Sequence, residues 1–353
     1  MKVCIVSVPL TTRSGVYRST YDLVTAAREA GLDWSGIIAM RPSALGSPPQ
    51  GDLGVHETTI DVHGMKLIPA IRRLLLSRAE FREADVVITM IGQSDIAVSG
   101  LGSNRPSTWV SFVRGLPWPA HGEAKALRRV LQRVLVTRAM RKADEVWATT
   151  TVLADGVRSA VDPVIVPAGV PSVERIADGS LGRDGHLVFA GRLDRDKRPL
   201  FFAEIVRRTG ALAKAFGAGP LQGELEQSRP ETLDISGWVD PAALWQGATA
   251  FLGTSSREAF GRSAVEAAQH GVPVILSRDY GAAPFLITDP VLVDAFVLPS
   301  EPVELWVDAV ERLLDDEVLR RRLSDHLVEN AREITIERSV ARVDARLREL
   351  AAG

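Results

Sequence analysis

The chain has 353 residues, 46% hydrophobic and 24% charged, with a formal net charge of -2. That is the composition of a soluble globular protein, too long for one ordinary core and suited to two domains, and it gives no general case for nucleic acid as a partner. Its one cysteine, Cys4, excludes a disulfide framework and a cysteine metal site, and no apolar run reaches membrane-spanning length. The opening run to Val8 reads as a strand, too short for the apolar region and cleavage site of a signal peptide. The expected location is therefore cytoplasmic, with room for contact at a membrane surface.

Strands alternate with helices along the chain, which predicts an α/β protein with parallel sheets and crossover helices. In the first half the patterns place strands near 2–8, 34–39, 86–91, 108–113, 145–148 and 163–166. Helices are expected near 16–30, 66–83 and 123–142. The stretch Val166-Pro-Ala-Gly-Val-Pro171 and the polar run to Gly185 read as a linker. A strand restarts at His186, and others follow near 212–216, 232–236, 249–253 and 273–276. Helical runs from Glu301 to about Glu349 close the chain, the last with Val340, Val343, Leu347 and Leu350 on one stripe. The predicted organisation is a first domain over 1–167, a linker over 168–185, a second domain over 186–333 and a final helix over 334–353. Two α/β halves of this kind predict a ligand cleft, with the informative loops at the carboxyl ends of strands.

The sharpest feature is the run Arg257-Glu-Ala-Phe-Gly-Arg-Ser-Ala-Val-Glu266, which follows the apolar strand Thr249–Gly253 and enters a helix. Glu258 is expected in the loop and Glu266 on the first turns of the helix. A helix N-terminus supplies unpaired N–H groups and a positive dipole end that suit phosphate. Two carboxylates around such a nest oppose phosphate alone, but suit a ligand that carries hydroxyls beside its phosphates. The loop Gly191-Arg192-Leu193-Asp194-Arg195-Asp196-Lys197 also follows a strand, and its Arg192 and Lys197 can converge on a diphosphate. The alternative is a solvated basic loop. Asp194 and Asp196 have the spacing of a D-x-D metal motif, but the flanking cations already neutralise phosphate, so no metal is expected. The loop Phe216-Gly217-Ala-Gly-Pro220 permits close backbone approach, and Gly237-Trp238-Val239 can line a base. Taken alone, either is more often just a turn.

The ordered set GRLDRDK, FGAGP, GWV, EAFGRSAVE and HGVPVILSRDYG resembles the nucleotide-binding half of the GT-B glycosyltransferases, specifically family four of the retaining enzymes, over roughly 186–290. The first half is similar in a looser way, through ADEVWATTTVLADGV and VPAGVP. The resemblance implies two Rossmann-like domains facing a cleft, with a C-terminal helix crossing back to the first. It implies that Arg192 and Lys197 contact a diphosphate, that Glu266 reads ribose hydroxyls and that Glu258 lies beside the donor sugar. Ala259, Phe260, Gly261 and Arg262 belong to the same donor loop, with Phe260 and Gly261 presenting N–H groups. The segment around Trp238 would hold the base, and Gly217 and Val239 belong to the donor-binding set. The pattern departs in the first half. Ser14-Gly15 carries one glycine where members commonly carry two, and Arg114 stands where many have a histidine near the sugar. Gly15 remains a site for close approach to the diphosphate. Ala168 replaces a frequent asparagine, and an acidic residue usual near Pro284 is missing. These departures point to an unusual acceptor or sugar, or to weakened activity.

The first half is expected to select the acceptor, with Arg114, Trp118 and His121 as candidates and Trp109 placed either there or in the core. Between Lys125 and Lys142 a helix carries Leu127, Val130, Leu131, Val134 and Leu135 on one face, with Arg128, Arg129, Arg133, Arg138 and Arg141 supplying its charge. Such a helix can lie on anionic membrane. The favoured reading is a core-facing stripe with a solvated basic face. Together these features point to a retaining glycosyltransferase that moves a sugar from a nucleotide-diphosphate donor to a hydroxyl acceptor by front-face displacement. The resemblance implies a UDP-sugar as the favoured donor, with GDP-mannose next, and the acceptor is expected to be a glycan, lipid or natural product. No cofactor is expected. The alternatives are a GT-B sugar-nucleotide epimerase or hydrolase, and a non-catalytic paralogue that partners an active transferase.

Overall fold

The computed structural model describes residues 1–13, 15–44, 48–51, 53–115, 118, 126–237, 239 and 243–352. The chain divides into two compact units, Met1–Pro171 with Ile336–Gly353, and Ser172–Thr335.

Among the described residues, the first unit is built on the strands β1 (Val3–Leu10), β2 (Trp34–Met40), β3 (Val55–Thr59), β4 (Val86–Thr89), β5 (Thr108–Val113), β6 (Glu145–Ala148) and β7 (Val164–Ile165). They form one sheet in the order β3-β2-β1-β4-β5-β6-β7, and every neighbouring pair is parallel. Its helices are α1 (Val16–Glu29), α2 (Leu67–Ser77), α3 (Ala79–Arg82), α4 (Gly92–Val98), α5 (Ala126–Met140) and α6 (Thr151–Arg158).

In the second unit β8 (His186–Ala190), β9 (Ala213–Phe216), β10 (Leu233–Gly237), β11 (Ala248–Gly253), β12 (Val274–Ser277) and β13 (Val297–Leu298) form a second parallel sheet. Its order, β10-β9-β8-β11-β12-β13, repeats the permutation of the first sheet. The helices are α7 (Pro199–Thr209), α8 (Gln222–Ser228), α9 (Arg262–Gln269), α10 (Ala283–Leu286), α11 (Pro290–Phe296), α12 (Val303–Asp315) and α13 (Glu317–Ala331). The chain's final helix, α14 (Ile336–Ala352), belongs to the first unit.

Strand alternation sorts the first unit's core into two layers. Val3 and Ile5 of β1 join Leu23, Val24 and Ala27 of α1 and Ile336, Val340, Val343 and Leu347 of α14. Cys4, Val6 and Val8 point the other way, to Ile71 and Leu75 of α2, Phe81 of α3 and Ala97 and Val98 of α4. Because β1 is buried on both faces, it reads as a continuous apolar run. The stripe seen in the sequence of α14 is thus the face laid against α1 and the sheet. An ion pair pins the same helix, with Arg346 Nε 3.0 Å from Glu145 Oε2. Burial disfavours the Glu145 carboxylate, yet hydrogen bonds from Arg346 and the Trp147 indole outweigh it and hold its pKa below the ordinary value.

Besides α4, α6 and β13, which the sequence patterns did not single out, two elements differ from the sequence expectation. Strand β3, Val55-His-Glu-Thr-Thr59, was not expected, because an edge strand of half-exposed polar residues has no apolar signal. The helix expected over 66–83 is two, broken at Arg78, whose backbone is extended (φ -96°, ψ 130°). Leu347 is fully buried in the layer between α14 and the sheet. Leu347→Ala is expected to cost about 2–5 kcal/mol in stability, measured by urea denaturation of the full chain.

Candidate functional site

The strand order of the second unit reverses beside β8, with β9 on one side and β11 on the other. Loops leaving β8 and β11 therefore emerge side by side at the carboxyl edge, where ligands bind in open α/β sheets. They are the two loops that carry GRLDRDK and REAFG.

Backbone hydrogen bonds join these loops before any side chain contributes. The Ser256 N–H donates to the Asp196 carbonyl (2.9 Å), and the Thr254 hydroxyl to the Lys197 carbonyl (2.9 Å). Asp194 fastens its own loop, accepting from the Lys197 N–H (3.1 Å) and pairing with Arg192 (2.9 Å). The next residue, Arg198, is the N-cap of α7 in the left-handed region (φ 55°). Its guanidinium lies 3.9 Å from the Phe201 ring centroid and donates to the Ser300 carbonyl (2.7 Å). Those contacts hold a backbone conformation that a non-glycine residue rarely adopts.

The outcome is that Lys197 Nζ donates to Glu258 Oε2. The two side chains are only 20% and 14% exposed, so the pair sits where charges are poorly screened. Glu258 is held in turn by its backbone, its N–H donating to the Asp279 carbonyl (3.2 Å) and its carbonyl accepting from the Gly281 N–H (3.0 Å). Phe260 is buried and its carbonyl accepts from the Ala282 N–H (2.7 Å). Gly261 then caps α9 at φ 92°. On α9, Arg262 and Glu266 form a mostly buried ion pair at 3.6 Å. Ala259 is half-buried in the same loop.

Tyr280 organises this group, and the sequence reading gave it no role. Its ring is buried, and its backbone forms an isolated parallel bridge with that of Glu258. A Cβ on Gly261 would fall 1.9 Å from that ring. Burial first, and then the charges of Glu258 and Glu266, push the Tyr280 phenol well above its ordinary pKa. Both carboxylates are thus electrostatic neighbours of one neutral phenol. The available signal was the tyrosine in SRDYG, which nothing in its local sequence distinguishes from a core aromatic.

Three glycines stack the remaining loops. Gly217 (φ 135°) donates its N–H to the Gly237 carbonyl (2.6 Å), and a Cβ on it would fall 1.9 Å from the Gly191 carbonyl oxygen. The loops after β8, β9 and β10 therefore pack backbone to backbone. Val239 is half-buried, and Trp238 lies outside the described residues.

The structure brings Lys197, Glu258 and Glu266 to one edge of the sheet. It does not bring Arg192 onto Lys197. The Arg192 side chain is about two-thirds exposed and turned to Asp194. In the first unit, Gly15 (φ 52°) caps α1, and its carbonyl accepts from the Ser19 N–H (3.0 Å). Arg114 is buried just beyond β5, 4.9 Å from the Phe112 ring centroid. Trp118 is half-buried under Arg133, whose guanidinium lies 5.0 Å from its ring, and His121 lies outside the described residues. Trp109 is a core residue, fully buried with its indole donating to the Thr89 hydroxyl (2.9 Å). Among the described residues no group of three or more metal-ligating side chains occurs.

Two parallel sheets of one permutation, with a glycine-rich nucleotide-type edge on the second, define a two-unit α/β protein of the GT-B class. Solved structures of that class match nearly the whole chain. Sucrose-phosphate synthase from Thermosynechococcus elongatus matches with a TM-score of 0.82 at 17% identity, over 99% of both chains. Anabaena HepE in complex with UDP and glucose matches with a TM-score of 0.76 at 14% identity, over 99% of this chain and 100% of that one. At these identities the likeness concerns the fold. The family described as glycosyl transferases group 1 matches residues 184–316, so the similarity to that family lies in the second unit. A D-inositol 3-phosphate glycosyltransferase of Corynebacterium diphtheriae is 31% identical over 151 residues, 40% of this chain and 32% of that protein. One from Saccharomonospora viridis is 26% identical over 231 residues, 58% of this chain and 53% of that protein. The chain thus spans about a third to a half of the length of these curated relatives.

Gly217→Ala forces either the Gly191 carbonyl or the Gly217 backbone to move. It is expected to destabilise the second unit by at least about 1–3 kcal/mol, read as a lowered melting temperature.

Proposed function

We propose that the chain is a retaining glycosyltransferase that moves a sugar from a nucleoside diphosphate donor to a hydroxyl acceptor. The observation that carries the reading is the Lys197–Glu258 pair at the foot of α9, on the sheet edge where the strand order reverses. An ammonium has three N–H donors, and one carboxylate engages only one of them here. The others remain for phosphate oxygens, joined by the first-turn amides of α9, which a helix leaves without intrahelical acceptors. Glu258 accepts from Lys197 and is itself placed to accept from sugar hydroxyls. Glu266, one helical turn further on, is assigned the ribose. A UDP-sugar is the preferred donor, with GDP-mannose next. HepE was solved with UDP and glucose, which supports that class of ligand. The acceptor is assigned to the first unit, with Arg114 as its candidate contact.

In the step proposed, the bond between the anomeric carbon and the diphosphate oxygen breaks and its electron pair stays with the diphosphate. The acceptor oxygen bonds to the same face of that carbon, and its proton passes to the departing phosphate. The positive charge that develops on the sugar is opposed by Glu258, and the negative charge on the leaving group by Lys197 and the α9 amides. This is preorganised electrostatic stabilisation and requires no protein base.

Lys197→Ala and Glu258→Ala are each expected to lower transfer by on the order of 10²–10³-fold, the usual effect of removing one such group, while circular dichroism stays that of the parent. Near-normal turnover in both variants would refute the assignment. UDP at 100 times its dissociation constant should stabilise the chain by about 2.7 kcal/mol, raising its melting temperature, and a chelator should leave both binding and turnover unchanged. A new sugar formed from donor alone would replace transfer with epimerisation or hydrolysis.

A further inference from the structure

Helix α5 faces the opposite way from the core-facing arrangement that its sequence favours. Leu127, Val130, Leu131, Val134 and Leu135 follow the i, i+3, i+4, i+7, i+8 spacing of one helical face, and every one of them is between 41 and 80% exposed. Val136, Ala139 and Met140 are the buried residues of α5, on the other side, where the helix packs on α4. An apolar stripe this regular, turned to solvent, is costly to leave uncovered and marks an interaction surface. Among the described residues of the first unit, none buries that face.

The charge around the stripe selects what covers it. From Lys125 to Lys142 the sequence holds seven cationic residues and no acidic one, within a chain of net charge -2. Arg128 and Arg133 project from either flank of the stripe, and Arg138 and Arg141 continue its face beyond the last apolar residue. Arg133 is steadied by the Ser159 hydroxyl (3.1 Å) and Arg141 by the Ala160 carbonyl (2.9 Å). A second copy of the chain would set one such cationic border against another. A convex ridge bordered by cations on both sides fits a flat, laterally continuous anionic layer with an apolar interior. No helix among the described residues is long and apolar enough to cross a membrane, so the contact is in the plane of the surface.

We propose that α5 docks the protein on a bilayer surface containing anionic phospholipid. Its leucine and valine side chains enter the boundary between headgroups and acyl chains, and its arginines engage lipid phosphates. The inference is independent of the activity proposed above.

The test is sedimentation of the full chain with vesicles of phosphatidylcholine alone, and of phosphatidylcholine mixed with phosphatidylglycerol. The expected result is co-sedimentation with the mixed vesicles only, weakened by added salt. Leu127→Ser/Leu131→Ser and Arg128→Glu/Arg138→Glu should each reduce partitioning by about tenfold or more, with melting temperatures equal to that of the parent because all four side chains are exposed. Should a double variant melt early, the single changes Leu127→Ser and Leu131→Ser read the same effect. Parent protein that stays in the supernatant with mixed vesicles overturns the proposal, as does binding that the leucine changes leave intact. A concentration-dependent dimer that the leucine changes disperse, without vesicle binding, assigns the face to a second copy and overturns it equally.

Discussion

Lys197 and Glu258 are 61 residues apart in sequence and meet because β8 and β11 are parallel neighbours at the reversal of the strand order. Every other feature of the candidate site depends on that adjacency. The hydrogen bonds from Thr254 and Ser256 to the Lys197 and Asp196 carbonyls can form only between loops that leave the sheet side by side. The close approach of Gly261 to Tyr280 then fixes where α9 begins. A cation and an anion half-withdrawn from water stabilise each other, and removal of either leaves the other poorly solvated.

Tyr280 gives the second carboxylate its place in this arrangement. Its buried phenol feels the charge of both Glu258 and Glu266, while each carboxylate keeps its own cation, Lys197 and Arg262. Two acids and two cations therefore share this edge of the sheet. The same electrostatics explains why Asp194, though spaced like a metal ligand, acts within its loop, since it accepts from the Lys197 N–H and holds Arg192.

The two units repeat one strand permutation but differ in what their edges carry. In the second, glycines let three loops pack backbone to backbone, and charged side chains are inserted over them. The first unit has Gly15 at its corresponding loop and a buried Arg114 after β5. Its most distinctive surface lies elsewhere, on α5, where apolar and cationic side chains share an exposed face.

Much of the fold was legible in the sequence because its signals are local. The apolar run of β1 announces a strand buried on both faces, and the stripe Val340, Val343, Leu347 announces a helix with one buried side. The close backbone approach at the loops after β8, β9 and β11 was readable because glycine at strand ends reports it directly. Tertiary structure decided what periodicity leaves symmetric or silent. The spacing of Leu127 to Leu135 is the same whether that face meets a core or solvent, and only the burial of Val136, Ala139 and Met140 on the other side settles it. Strand β3 is polar, so its pairing with β2 could be seen only in the sheet. Arg192 and Lys197 lie five residues apart with the same charge, yet one faces water and the other an acid from a distant loop. A residue's type and spacing fix what it can bind, but its partner is chosen by which strands lie side by side.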